Sequence, residues 1–425
     1  MRYDNRTFLI LALFCFLIGG ISAQNEISSP YSNYGIGMVN GCTPSALTAI
    51  GGTAYAMQDP YMINFKNPAS YVAFDSLSFI ADASFSIHAN TLKTDSATQK
   101  SVIAHPNYLT IGLPVTKHWR TSAGILPYSD LGYVIVDNHK VEHYGNNTYT
   151  YEGDGGLMQL YWGNAFKLCK GLSLGLNISY MWGRMSYIKS VEIEGSNFFN
   201  TTINTSTHVD GIYLSAGLQY FVDIKEKHRL GFGLVYENSA YMWARQQQLI
   251  TIFEGSLENI TGLDTISNQQ NRKGRLQMPQ AIGGGLSYNY DNKLLVGADV
   301  TWRNWARYSL MGESDSLQDA ITFNGGVQYT PDPMSSKYGK RISMRAGARY
   351  STGYFSFNGN RVSEYAITVG LGFPLKGTSS TCSLNFLFEY GKLGSLHKNK
   401  LSEDFYKFTV SFTLQEKWYQ RTKLE

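Results

Sequence analysis

Along most of this chain, residues alternate in character with a period of two. From Leu77 to Ala89 the odd positions are Leu77, Phe79, Ala81, Ala83, Phe85 and Ile87, and the even ones include Ser78, Asp82, Ser84, Ser86 and His88. The pattern returns at Leu172, with Leu174, Leu176, Ile178, Tyr180 and Trp182 against Ser173, Gly175, Asn177 and Ser179. It returns again at Leu294, Val296, Ala298, Val300 and Trp302, at Cys382 to Tyr390, and at Tyr406 to Leu414. Successive side chains of a β-strand point to opposite faces, so one face of each stretch is apolar and the other small or polar. Helical spacing accounts for none of these stretches.

Strands are expected at 76–91, 104–117, 119–136, 149–168, 171–189, 207–222, 228–246, 279–290, 294–308, 319–330, 341–354, 363–375, 381–391 and 404–415, about fourteen in all. Their connections alternate in length. Short ones near Lys117, Lys170, Glu226 and Asn292 interleave with long ones over 92–103, 137–148, 190–206, 247–278 and 309–318. An even strand number with short turns at one end and long loops at the other is the pattern of an all-β transmembrane antiparallel barrel. The short turns then face the periplasm, and so do both termini. Composition agrees: 30 Tyr, 22 Phe and 42 Gly, but only 16% charged residues, is thin in charge for a soluble domain of this size. Tyr and Trp at strand ends, such as Trp119, Trp182, Trp302 and Tyr390, read as interfacial belts.

Basic Arg2 and Arg6, an apolar run from Phe8 to Ile21, and Ser22-Ala23 before Gln24 read as a signal peptide over 1–23. A retained anchor helix is the alternative, and the run is short for one. No later run approaches membrane-helix length. Residues 24–75 precede the first convincing strand and are rich in Gly, Ala, Ser and Asn, which suits a plug (hatch) inside the barrel at 76–415. Side chains alone cannot fill a lumen of this width. Residues 416–425 form a periplasmic tail past the last strand. The formal net charge of +4 gives no sign of a nucleic-acid partner. With Cys15 inside the expected signal peptide, the mature chain keeps Cys42, Cys169 and Cys382, odd in number and without metal-like spacing, so neither a disulfide framework, a metal nor a cofactor is expected.

Gly51-Gly52-Thr53-Ala54-Tyr55-Ala56, Asp59 and Asn67-Pro68-Ala69-Ser70, with Leu126 to Tyr133 and Gly153 through Gly175, resemble the FadL/TodX family of outer-membrane transporters for hydrophobic compounds, particularly its Bacteroidetes versions. The resemblance implies fourteen strands around an N-terminal hatch. It also implies passive uptake of a small, fatty-acid-like hydrophobic ligand, which leaves sideways through a gap at a kink in the third strand. Pro127 cannot donate a ladder hydrogen bond, and Gly132 follows on the same strand, so Pro127, Tyr128, Ser129 and Gly132 are the candidate opening. A closed, proline-marked bulge is the alternative.

The inward parity carries Asp82, Glu237, Asp299, Arg341, Arg345, Arg349, Glu389 and Lys407. Arg345 and Arg349 could hold a ligand carboxylate; mutual neutralisation and anchoring of the plug is the more ordinary role. His139 and His143 are four apart, but no third ligand is evident, so a solvated pair is expected rather than a metal site. Ser84, Ser86 and His88 lie on the inner face, no Gly-x-Ser-x-Gly elbow occurs, and no enzyme activity is expected. The expected partners are outer-membrane lipid and a hydrophobic small molecule. A different class, a non-transport subunit of an outer-membrane secretion or barrel-assembly complex, is kept open by the tail, which could dock a periplasmic or outer-membrane protein. Related Bacteroidetes barrels, by the same resemblance, act as shuttles in protein export.

Overall fold

A computed structural model describes residues 29–76, 78–141, 145–193, 199–257, 259–357, 359–376 and 380–417. The expected signal peptide, His143 and the tail beyond Lys417 lie outside these residues. Fourteen antiparallel strands form the barrel: β1 (Ser78–Thr94), β2 (Thr98–Pro114), β3 (Trp119–Val141), β4 (Gly145–Cys169), β5 (Leu172–Ile193), β6 (Asn200–Lys225), β7 (His228–Glu237, resumed over Tyr241–Ser256), β8 (Asn259–Gln277, resumed over Ala281–Tyr290), β9 (Leu294–Arg303), β10 (Ala320–Tyr329), β11 (Ser343–Ser351), β12 (Glu364–Lys376), β13 (Ser380–Ser395) and β14 (Leu401–Lys417). β14 closes onto β1 along its whole length, from Ser78 opposite Lys417 to Thr94 opposite Leu401.

The end at which β1 begins and β14 finishes is here termed the base, and the opposite end the crown. The outward parity is apolar: on β5, Leu174, Leu176, Ile178 and Tyr180 are each 40–48% exposed, and Leu286, Val300, Ile367, Phe388 and Phe408 continue the belt around the wall. A continuous apolar exterior on a closed barrel calls for lipid as its solvent. The inward parity is buried and polar, as with Ser173, Asn177, Ser179, Asp299 and Glu389.

Four expected crown loops prove to be strand. β1 and β2 meet across Thr94 and Thr98, β3 runs on to Val141, β5 and β6 pair up to Val191 and Thr201, and β7 and β8 pair up to Ser256 and Asn259. β3 to β8 therefore rise as a tall wall on one side of the barrel. Pairing continues there with polar residues on both parities, as with Asn200 to Thr202 and Asn204 to Ser206, so alternation no longer marks the strands. The base has one long connection, 330–342. Arg341 sits in its short helical turn (Tyr338–Arg341), over the Tyr338 ring, and not on the inner wall, since β11 starts only at Ser343.

Candidate functional site

Residues 29–76 fill the lumen with little regular structure, so their backbone groups must find partners on the wall. The inward polar residues supply them. Asp299 accepts from the N–H groups of Ala54 (2.6 Å) and Tyr55 (2.9 Å). Gln219 donates to the carbonyls of Tyr55 and Met57, Ser287 to Ala56, and Asn177 to Phe65. Thr368 donates to the Ala49 carbonyl and accepts from Gly51 N–H, both at 3.1 Å.

Asn67, Pro68 and Ala69 begin a short helical turn (Pro68–Ala73). The Asn67 side-chain oxygen caps Ala69 N–H at 3.1 Å, and its amide donates to the Tyr55 carbonyl at 2.6 Å. Proline at the first helical position has no N–H to orphan. Gly51 and Gly52 follow the turn of helix at Ser45–Thr48 with φ of +76° and +84°. A side chain on Gly51 would strike the carbonyls of Gly325 and Ala348 in the wall.

Sequence reasoning missed what makes this close approach feasible. Inward glycines stand opposite one another on neighbouring strands, Gly175 with Gly217, Gly233 with Gly285, and Gly297 with Gly326 and then Gly347. A Cβ on Gly217 would collide with Asn67, on Gly233 with the Tyr55 carbonyl, and on Gly347 with Gly51. The legible signal was glycine on the polar parity of adjacent strands.

Six of the expected lumen charges, Asp82, Glu237, Asp299, Arg345, Arg349 and Glu389, are engaged, and Lys407 lines a cavity in the lumen. Glu237 pairs with Arg303 at 2.5 Å and accepts from Tyr213 at 2.9 Å. Arg349 bridges Glu364 (2.6 Å) and Glu389 (2.8 Å), whereas Arg345 donates to Gln328 and Asn385, so the two arginines are held apart by separate partners. Asp82 is buried and accepts from Tyr108 at 3.4 Å. Ser86 bonds His88 at 3.0 Å and donates to Asn107, and the His88 ring meets His105 where a triad would need a carboxylate. His139 pairs with Asp137 at the top of β3.

Above this layer the crown half of the lumen is packed solid. Tyr31 and Ile36 from the N-terminal segment meet Trp305 and Tyr308 from one crown connection, Phe355 and Val362 from another, and Met181 and Met185 from β5. Each of these is at most 2% exposed. Between this core and the plug lies a cavity of about 350 Å³. Its walls mix charged and polar groups, Lys66, His105, Asn107, Arg349, Glu389 and Lys407, with apolar ones such as Val39, Pro127, Trp305 and Leu387. Burial lowers the pKa of the Lys66 ammonium against the opposing pull of Glu237.

One side of this cavity reaches a break in the wall. β2 and β3 pair only from Pro114 opposite Arg120 to Leu109 opposite Ile125, and above that they separate. Each strand carries a proline and a bulge at this height. Asn107 is the extra residue of β2 beside Pro106, and Tyr128 that of β3 beside Pro127. Bulges bend a strand and increase its twist, and neither proline has an N–H for the ladder. The N-terminal segment lies along the β3 side of this notch. Met38 and Val39 pair with Asp130 and Ser129, Asn40 N–H donates to Tyr128, and Ser29 N–H to Gly132. Thus Tyr128, Ser129 and Gly132 bond to the N-terminal segment, and Pro127 stands at the lip. Pro106 was not singled out from the sequence.

Solved structures share the architecture. A FadL homologue from Pseudomonas aeruginosa matches with a TM-score of 0.56 at 12% identity, over 90% of this chain and all of the other. The monoaromatic hydrocarbon channel CymD matches at 0.58 and 13%, over 89% and 98%, and the Pseudomonas putida toluene transporter TodX at 0.57 and 14%, over 90% and 98%. At such identity the likeness is one of fold, and the FadL/TodX resemblance is met at that level. No curated protein matches the sequence. The sequence model described as BamG matches residues 6–425, nearly end to end, and the chain belongs to the BamG family.

Proposed function

We propose that this protein is a non-conducting barrel subunit of an outer-membrane complex of the secretion or barrel-assembly kind. The observation that carries the reading is the filled lumen. Among the described residues, a plug bonded to the wall and a buried apolar core at the crown occupy the lumen, with a cavity that carries buried charges between them. A conduit for apolar molecules needs a continuous apolar path, and the charged groups in this chamber, Lys66, Arg349, Glu389 and Lys407, interrupt one. Membership of the BamG family supports a role distinct from that of the toluene transporters that share the fold. In this reading the barrel sits in the outer membrane with its base, and so both termini, in the periplasm. It catalyses nothing, its belt meets lipid, and its tall wall, base connection and tail are available to protein partners. Depletion of the protein in its native host tests this. Loss of other outer-membrane barrels or of exported proteins is expected; an unchanged outer-membrane inventory would count against it.

A second reading, passive uptake of small hydrophobic molecules with lateral exit, is favoured by the β2–β3 notch and by the hydrocarbon channels of similar fold. It predicts that the purified protein speeds entry of labelled toluene into proteoliposomes loaded with a toluene-oxidising enzyme. Rates equal to protein-free vesicles would remove it.

A further inference from the structure

The notch leaves a strand edge open. Among the described residues, β2 from Thr98 to Tyr108 pairs with β1 on one side and has no strand on the other, where the Asn107 carbonyl alone meets another segment, accepting from the Cys42 thiol at 3.5 Å. An open row of backbone donors and acceptors is a template for another strand, and within lipid it is costly to leave unpaired. In the same stretch the buried Ser101 hydroxyl has no hydrogen-bond partner.

The barrel treats another long edge, that of β8, differently. β8 pairs only with β7 along Asn259–Gly274, but register breaks at three places interrupt that edge, and Arg272 and Lys273 stand on it. Bulges and positive charges are the usual defences of an edge. Above its single bulge β2 keeps unbroken register with β1, and Lys100 is its only charged residue other than the histidine at 105.

The two faces at the notch also differ in chemistry. Outward, Val102 is 71% exposed and Leu109 55%. Inward, the polar side chains of His105 and Asn107 line the cavity. A strand seated here must be apolar on one parity and polar on the other. That is the alternation of a transmembrane β-strand, and Met38–Val39 on the β3 side already pairs there in strand fashion.

We propose that the open edge of β2, residues 98–108, docks a transmembrane-type β-strand of a partner polypeptide, added antiparallel or parallel through the β2–β3 notch. This rests on the complex-subunit reading and names the partner surface within it. The test uses the full chain in lipid nanodiscs and a synthetic peptide of its own closing strand, residues 401–417, as the probe. A control peptide has the same composition with the alternation scrambled. Amide exchange over 98–108 is expected to slow by about tenfold or more with the alternating peptide and to stay unchanged with the control. Exchange that is unaltered, equally slowed by both peptides, or already slow in lipid alone would overturn the proposal.

Val102→Pro and Ile103→Pro, made separately, add a second readout. Adjacent amides of a strand point to opposite sides, so only one of them faces the notch. The variant lacking that amide should keep the barrel and lose the response, and retention of the response in every variant that folds would overturn the proposal. Partners co-purifying from native membranes are scored independently: their presence with an inert notch sinks the strand-docking site alone, and their absence sinks the subunit reading.

Discussion

At the level of single residues, the parity of the strands exposed which charges point inward but not what they meet. Asp82, Glu237, Asp299, Arg345, Arg349 and Glu389 were all legible, because a charge on the small or polar parity of an otherwise apolar strand has nowhere else to go. Their partners lie on other strands or on the plug. Glu237 meets Arg303, and Asp299 meets the backbone of Ala54 and Tyr55, and neither pairing has a sequence signature. Arg349 is the sharpest case for mutation, since two carboxylates share its guanidinium and Glu389 is 1% exposed. Arg349→Met should cost about 3–5 kcal/mol, as loss of one partner strands buried charge. Unfolding of the detergent-solubilised barrel, followed by heat-dependent gel migration, reads it. The triple variant that also carries Glu364→Gln and Glu389→Gln should recover much of the loss. Asp299→Ala removes two charge-assisted hydrogen bonds to the plug, each worth about 1.5–3 kcal/mol. It should speed amide exchange at 50–60 and leave the β-ladder amides of β9 unchanged.

Among the elements, strand existence was legible wherever lipid and lumen lie on opposite faces. It failed in the tall wall, where Asn200–Ser206 of β6 and the crown half of β8 are polar on both parities. Pro127 marked the kink in β3, but the break in the wall needs two bent strands, and Pro106 on β2 was not singled out from the sequence. The plug was legible as a segment from its length and composition. Its seat was not, because the seat is a set of inward glycines that come together only when strands far apart in sequence are in register. Gly217→Val tests that seat. The added side chain would overlap Asn67, and overpacking of this kind costs about 1–3 kcal/mol. The plug should become sensitive to protease while the closed barrel keeps its folded gel migration. A plug as resistant as in the unaltered protein would mean that this contact does not hold it.

The molecule as a whole is a barrel whose lumen is occupied twice, by the plug towards the base and by the aromatic and methionine core at the crown. Fold class followed from alternation because a closed barrel is the one way for strands to satisfy every backbone group in lipid. Function did not follow, because open and filled barrels share their outer face and differ in lumen contacts that the sequence does not order. Removal of residues 24–70 should raise the permeability of reconstituted vesicles to small solutes, since those residues carry Tyr31 and Ile36 of the crown core as well as the plug. Unchanged permeability would mean that the crown connections seal the lumen by themselves. The central claim, that the barrel works as a filled subunit and not as a conduit, is tested most directly by purifying it from its native outer membrane in mild detergent and weighing the intact particle by mass spectrometry. A stoichiometric set of protein partners, with no apolar small molecule in the barrel, is the predicted result. A lone chain carrying one fatty-acid-like molecule would contradict it.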